Sequence, residues 1–293
     1  MGRLARYALL ALAALAATAC TLTQLAYSNI GLAYNNAPPM IAWFVADYVD
    51  MSDEQKEFVR ERVSEAFAWH RSRQLPEYRA FLEKVLVQAE DNITVDEAAA
   101  AHRDLRGYYH RALERLLPDM ADFLLQLDSV QLRQMEKRFA KDNKKIVSEV
   151  AEESERNDKR VERFATHLEQ FVGPLSDAQR QMVAQYILAQ PELLEYRLAD
   201  RRYRQAAILA VVRDKPSREE ATAVLRRLFI DTESWRNPDY QRRLRARDQR
   251  LFDLIARLSA SLGPEQRVAF QKRVRGFMRD ITEISASRAS PRG

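Results

Sequence analysis

The side chains able to carry chemistry in this sequence are few and scattered. The four histidines are His70, His102, His110 and His167. His102 and His110 stand eight apart, close to one face of a helix, and His70 could approach them as a third zinc ligand. Surface or half-buried histidines are commoner than ligands, so no metal and no cofactor is assigned. No His-Glu-x-x-His, paired cysteine or Gly-rich phosphate loop occurs. Adjacent acids such as Glu152-Glu153 and Glu219-Glu220 fall in segments that read as solvated helix faces. A Ser-His-Asp set meets only in space and cannot be assembled from spacing. No catalytic residue is assigned, and the chain reads as a protein that binds and not as an enzyme. The alternative is a cell-wall-active enzyme using carboxylates brought together between two subdomains.

The elements that must position these residues are helices. The chain has 293 residues but only 7 glycines, while Leu, Ala, Arg, Glu and Gln are abundant. That composition predicts an all-α protein, an elongated bundle of about nine helices. The formal charge is +5, with basic and acidic residues mixed throughout. Without Arg3 and Arg6 the balance is 45 basic against 42 acidic. No segregated basic face is apparent, so nucleic acid is not an expected partner. The basic run Arg242, Arg243, Arg245, Arg247 and Arg250 reads as a solvated helix face. Its other use would be to meet anionic lipid or cell-wall polymer.

The amino terminus carries an address. Arg3 and Arg6 precede a mostly apolar run from Tyr7 to Ala19. That run is shorter than the roughly 20 residues needed to span a bilayer and matches a signal peptide over residues 1–19. It ends in Ala17-Thr18-Ala19-Cys20, and Cys20 is the single cysteine. The ending resembles a bacterial lipobox, with Ala17 in place of the more usual Leu. The resemblance implies that Cys20 becomes the first mature residue and carries three acyl chains, enough to hold a protein on a membrane. Thr21 stands where an Asp would resemble an inner-membrane retention signal. In a Gram-negative cell this implies an outer-membrane lipoprotein facing the periplasm, with the membrane as one partner and an envelope protein as a second.

Periodicity places the helices. An aromatic leader over 20–51 includes a short helix from Pro39 to Tyr48. Apolar residues at three- and four-residue spacing follow from Ser52 to Gln74, and Pro76 opens the next helix. Thr94 with Glu97 reads as a capping box starting a helix to Leu117, and Pro118 starts a short one after it. Ser129 to Phe171 has no proline or glycine and reads as a long central connecting helix, or two helices broken near its polar middle. Further helices are expected at 177–189, 191–213, 218–231, 238–262 and 264–287. The expected division is an N-terminal helical subdomain over 52–155, a C-terminal one over 156–287, and a disordered tail over 288–293.

One short pattern recurs: "MSDEQ" ending at Gln55, "LDSVQ" at Gln131, "LSDAQ" at Gln179 and "LGPEQ" at Gln266. Each reads as an N-cap with Gln at the third helical position, Gly263 fitting only in part. The pattern also resembles the Leu-Thr-x-x-Gln boxes of small periplasmic chaperones of the Spy type, although no copy has the Leu-Thr pair. A closer resemblance lies in "LAYNNAPPMIAWFVADYVDMSDEQ" followed by "AWHRSRQLPEYRAFL". Tyr-Asn-Asn, Trp, Asp-Tyr-Val-Asp, Trp-His and Leu-Pro-x-Tyr in that order resemble an uncharacterised family of proteobacterial lipoproteins, a domain of unknown function. The resemblance implies the same lipoprotein address and brings no activity. On it, Tyr34, Asn35, Trp43, Asp47, Tyr48, Trp69, His70 and Tyr78 are the candidate interaction residues. A second aromatic corner, "WRNPDY" from Trp235 to Tyr240, is expected to fix a turn between helices.

Overall fold

The computed structural model describes residues 30–154 and 157–287. The signal peptide, Cys20, the boundary expected near residue 155 and the tail over 288–293 lie outside them. The fold is an all-α bundle, with no strand among the described residues. Its helices are α1 (Ile30–Ala46), α2 (Asp53–Trp69), a π-helical segment (His70–Gln74), α3 (Leu75–Gln88), α4 (Val95–Gln126) and α5 (Ser129–Ser154). They continue with α6 (Asn157–Val172), α7 (Asp177–Leu188), α8 (Leu194–Asp214), α9 (Arg218–Phe229), a 3-10 turn (Thr232–Ser234), α10 (Pro238–Ser261) and α11 (Pro264–Ala286).

Most helix starts follow from their caps. Ser52, Thr94, Ser176 and Ser217 each accept from the backbone of the third helical residue, whose Gln or Glu reaches back. Asp128 does the same for α5. Gly263 has no side chain, so only the Gln266 half of its box forms.

Two proline-based expectations need correction. The helix expected from Pro39 is already formed at Ile30, where the described residues begin, and it contains Pro38 and Pro39. Likewise α4 runs unbroken through Pro118. An interior proline removes one helical hydrogen bond and costs about 3 kcal/mol. Burial on both sides of each proline offsets that cost. Tyr34, Ala37 and Ile41 pack on Phe67, Leu75 and Ile284, and Leu117, Ala121 and Leu124 join the largest core. A smaller correction falls at α8, which starts at Leu194, after Pro191.

Several of the main helix pairs are antiparallel. Gln55 meets Gln126, Glu65 meets Arg115, and Gln74 meets Tyr108, so α2 and the π segment run against α4. In the same sense α8 runs against α5, with Arg201 on Asp142 and Arg213 on Glu136. Arg218 on Asp122 and Arg226 on Glu114 set α9 against α4. The main core therefore draws on both halves of the chain, with Leu117, Leu127 and Met135 packed among Val211, Val212, Ala221 and Leu225. The C-terminal helix α11 returns to the first helices, where Ile284 joins Tyr34 and Phe67. A third cluster, Ala165, Leu175, Val183 and Ile187, joins α6 to α7.

Candidate ligand-binding pocket

A pocket of about 380 Å³ opens between α2 and α4. From α2 come Phe58, Arg62, Ala66 and Trp69, one face at helical spacing. The α4 side supplies Ala112, Leu116, Met120 and Phe123. Ala66 and Ala112 lack the side-chain length to fill the space between the two helices. The deep end is closed by Val49, Leu124, Met135, Ile208 and Leu225, all apolar, while Ile41 and Val45 of α1 close one side.

Charge is confined to one part of the lining. Arg62 pairs with Glu65 at 2.9 Å, and Arg115 pairs with Asp119 at 2.8 Å and more loosely with Glu65 at 3.6 Å. These four side chains are partly exposed, so the pairs hold the rim in place and add little stability. Two further polar residues line the pocket, Tyr48, whose hydroxyl is bonded to Asp142, and His70, whose Nδ1 is bonded to Tyr34.

The Asp47-Tyr48-Val49-Asp50 stretch is a clasp on α5. Asp47 pairs with Arg138 at 2.5 Å, and the Tyr48 hydroxyl donates to Asp142 at 2.9 Å. Val49 is buried in the core. The Asp50 amide donates to Gln134, and Gln134 donates back to the Asp50 carboxylate at 2.6 Å. Asp142 also meets Arg138 and the buried Arg201, which donates to Asn143 at 2.7 Å. Burial, reinforced by the Asp142 charge, pushes the Tyr48 phenol up to about 12. The hydroxyl therefore stays a neutral donor.

Tyr34, His70 and Tyr78 form a second buried cluster. The Tyr34 hydroxyl lies 3.0 Å from His70 Nδ1 and donates to the Phe67 carbonyl at 3.3 Å. His70 stacks on Tyr34, and Tyr78 meets it edge-on at 5.5 Å. Burial holds His70 down at about 4, so the imidazole is neutral at ordinary pH. The π segment explains the placement. Pro76 has no N–H for the carbonyl of Ser72, and the wider turn lets the Leu75 amide reach the His70 carbonyl. It turns both His70 and Gln74 inward, and both are buried.

The remaining candidate residues face outward or sit at the pocket edge. Asn35 is exposed and accepts from Arg71 at 3.2 Å. Trp43 is 65% exposed, with Phe44 against its ring. Trp69 is half-buried in the pocket wall. The other two histidines of the zinc set weighed above have ring neighbours: His102 lies against Phe252 and His110 against Tyr109. Among the described residues no group of three or more His, Cys, Asp or Glu is arranged to hold a metal ion. At the second aromatic corner the Trp235 indole donates to the Arg227 carbonyl and stacks on Tyr203. The basic run beyond it is partly paired, Arg242 and Arg243 with Asp239, and Arg247 with Asp248.

The four recurring glutamines pair two by two. Gln55 and Gln131 each donate to the other's side-chain oxygen, at 3.2 and 2.6 Å. Gln179 and Gln266 do the same at 2.9 Å both ways. Each Nε2 also donates to the carbonyl two residues before its partner's N-cap: Gln126, Asp50, Ser261 and Pro174. Each Oε1 still accepts from its own N-cap amide. One pair fastens the start of α2 to the start of α5, beside the deep end of the pocket. The other fastens α7 to α11. Sequence spacing showed three full caps and a partial one at Gly263 but not who pairs with whom. It also showed the apolar stripe through Phe58 and Ala66 without showing that the facing wall leaves a space.

Comparison with known proteins adds one match. A family model described as a family of unknown function, DUF6279, covers residues 47–241. The chain belongs to that family. Neither a curated protein nor a solved structure matches it. The DUF6279 match starts at Asp47, the first residue of the clasp, and takes in α2, α4 and α5 entire. Tyr34, Asn35 and Trp43 fall before it, as do the wall residues Ile41 and Val45.

Proposed function

We propose that this DUF6279 protein acts by binding, as a lipid-anchored helical protein on the periplasmic face of the outer membrane. The pocket between α2 and α4 receives the apolar part of what it binds. The observation that carries this reading is the pocket itself, about 380 Å³ and lined almost wholly by apolar side chains. Small-molecule sites have this size and character, and they form between the helices of bundles. Asp119 is the one acid in the lining, and both it and Glu65 at the rim are already paired with arginines. That favours binding over carboxylate chemistry on cell-wall material, which needs two opposed acids at the substrate. The scaffold, assembly and chaperone-like roles expected from the sequence all use such a contact.

A photo-crosslinking residue placed at Phe58 in living cells tests the proposal. Adducts with an envelope component are expected there and not from position 268, where Val268 is exposed on α11. Equal yields from the two positions would overturn the reading.

A further inference from the structure

We propose that the pocket holds one long acyl chain of a diffusible single-chain amphiphile, a fatty acid or lysophospholipid. This rests on the binding reading above and names the ligand class for the same site.

Three features of the pocket point to that class. The first is its length. The wall from Phe58 to Trp69 covers eleven helical steps, or about 16 Å at 1.5 Å each. An extended alkyl chain can lie along it. The second is capacity. At about 30 Å³ for each small group, the space holds roughly a dozen chain carbons. The third is polarity. Arg62, Glu65, Arg115 and Asp119 gather at the partly exposed rim, whereas the deep residues Val49, Leu124, Met135, Ile208 and Leu225 are apolar. A molecule with one apolar tail and a polar head matches that gradient, head at the rim and tail inside. The lipid expected at Cys20 fits less well, because it carries three chains and the space holds only about a dozen carbons.

The experiment titrates the full chain carrying Cys20→Ser with fatty acids of six to eighteen carbons, using calorimetry. One site per chain is expected. Affinity should rise about fourfold per added methylene, and level off once the chain is roughly a dozen carbons long. Ala66→Trp and Val63→Trp, which place bulk in the pocket wall, should each weaken tetradecanoic acid at least tenfold. Val268→Trp should leave it unchanged. Circular dichroism melts identify any variant that is unfolded, and the other wall variant then decides. Binding that ignores chain length, or that survives both wall variants, overturns the inference. So does a wild-type acylated protein that refuses added tetradecanoic acid while the Cys20→Ser chain accepts it, because the anchor itself would then fill the pocket. If no fatty acid binds but crosslinking at Phe58 still captures an envelope component, the acyl assignment fails and the binding reading stands. If both fail, the pocket is not a ligand site.

Discussion

Replacing Gln131 with alanine is the sharpest single perturbation of the fold. Gln131 and Gln55 are 6% and 8% exposed, so water does not replace what is lost. The Gln131→Ala change removes the bonds to Gln55 Oε1 at 2.6 Å and to the Asp50 carbonyl at 2.8 Å, and the acceptor for the Asp128 amide at 3.1 Å. Gln55 keeps its bond to the Gln126 carbonyl, so its amide is not orphaned outright. At a net 0.5–1.5 kcal/mol per bond, the expected loss is about 2–4 kcal/mol. Gln55→Ala removes the equivalent set and should cost a similar amount. The double variant should cost less than the two singles together, by about 1–2 kcal/mol, because the reciprocal pair is broken only once. Urea denaturation of the four proteins at constant m-value measures this coupling. Gln55→Ala combined with Gln179→Ala, taken from different pairs, should be additive within about 0.5 kcal/mol. Additivity of Gln55 with Gln131, or single losses below about 0.5 kcal/mol, would refute the assignment of these glutamines as interlocked caps.

Three other outcomes are expected. His70 is held neutral with its value near 4 against an ordinary 6.5, so between those values the unfolded chain takes up a proton that the folded chain does not. Stability should therefore fall as pH drops from 6.5 towards 4, by up to about 3 kcal/mol from this group. The gap between wild type and His70→Gln in urea midpoints should narrow over that window, and a constant gap would contradict it. Tyr48→Phe should lose about 1.5–2 kcal/mol in the same assay, because it deletes a hydrogen bond to the charged Asp142 while Arg138 and Arg201 remain. Cys20→Ala should abolish incorporation of a palmitate analogue in growing cells, and incorporation equal to wild type would remove the lipid anchor from the account.

Much of the helical framework was legible because helix starts are local. Ser52 with Gln55, Thr94 with Glu97, and Ser217 with Glu220 declare their helices within four residues. Pro38, Pro39 and Pro118 misled because their cost is local while the offset is tertiary: Ala37 and Ala121 are wholly buried against other helices. The clasp was legible as a pattern, but its partners Arg138, Asp142 and Gln134 lie some 80 to 95 residues further on, where no local rule points. The pocket was hidden for a similar reason. A stripe such as Phe58, Ala66 and Trp69 predicts burial, and only the facing residues decide whether that burial is complete. The small side chain of Ala112 opposite leaves it incomplete.

The central claim is that the space between α2 and α4 is a binding site. Native mass spectrometry of the protein gently extracted from its own envelope tests it most directly. The account predicts a population carrying one extra non-covalent mass, released on collisional activation and lost from a folded Ala66→Trp variant. The same bare mass for wild type and variant, or an adduct that persists in Ala66→Trp, would contradict it.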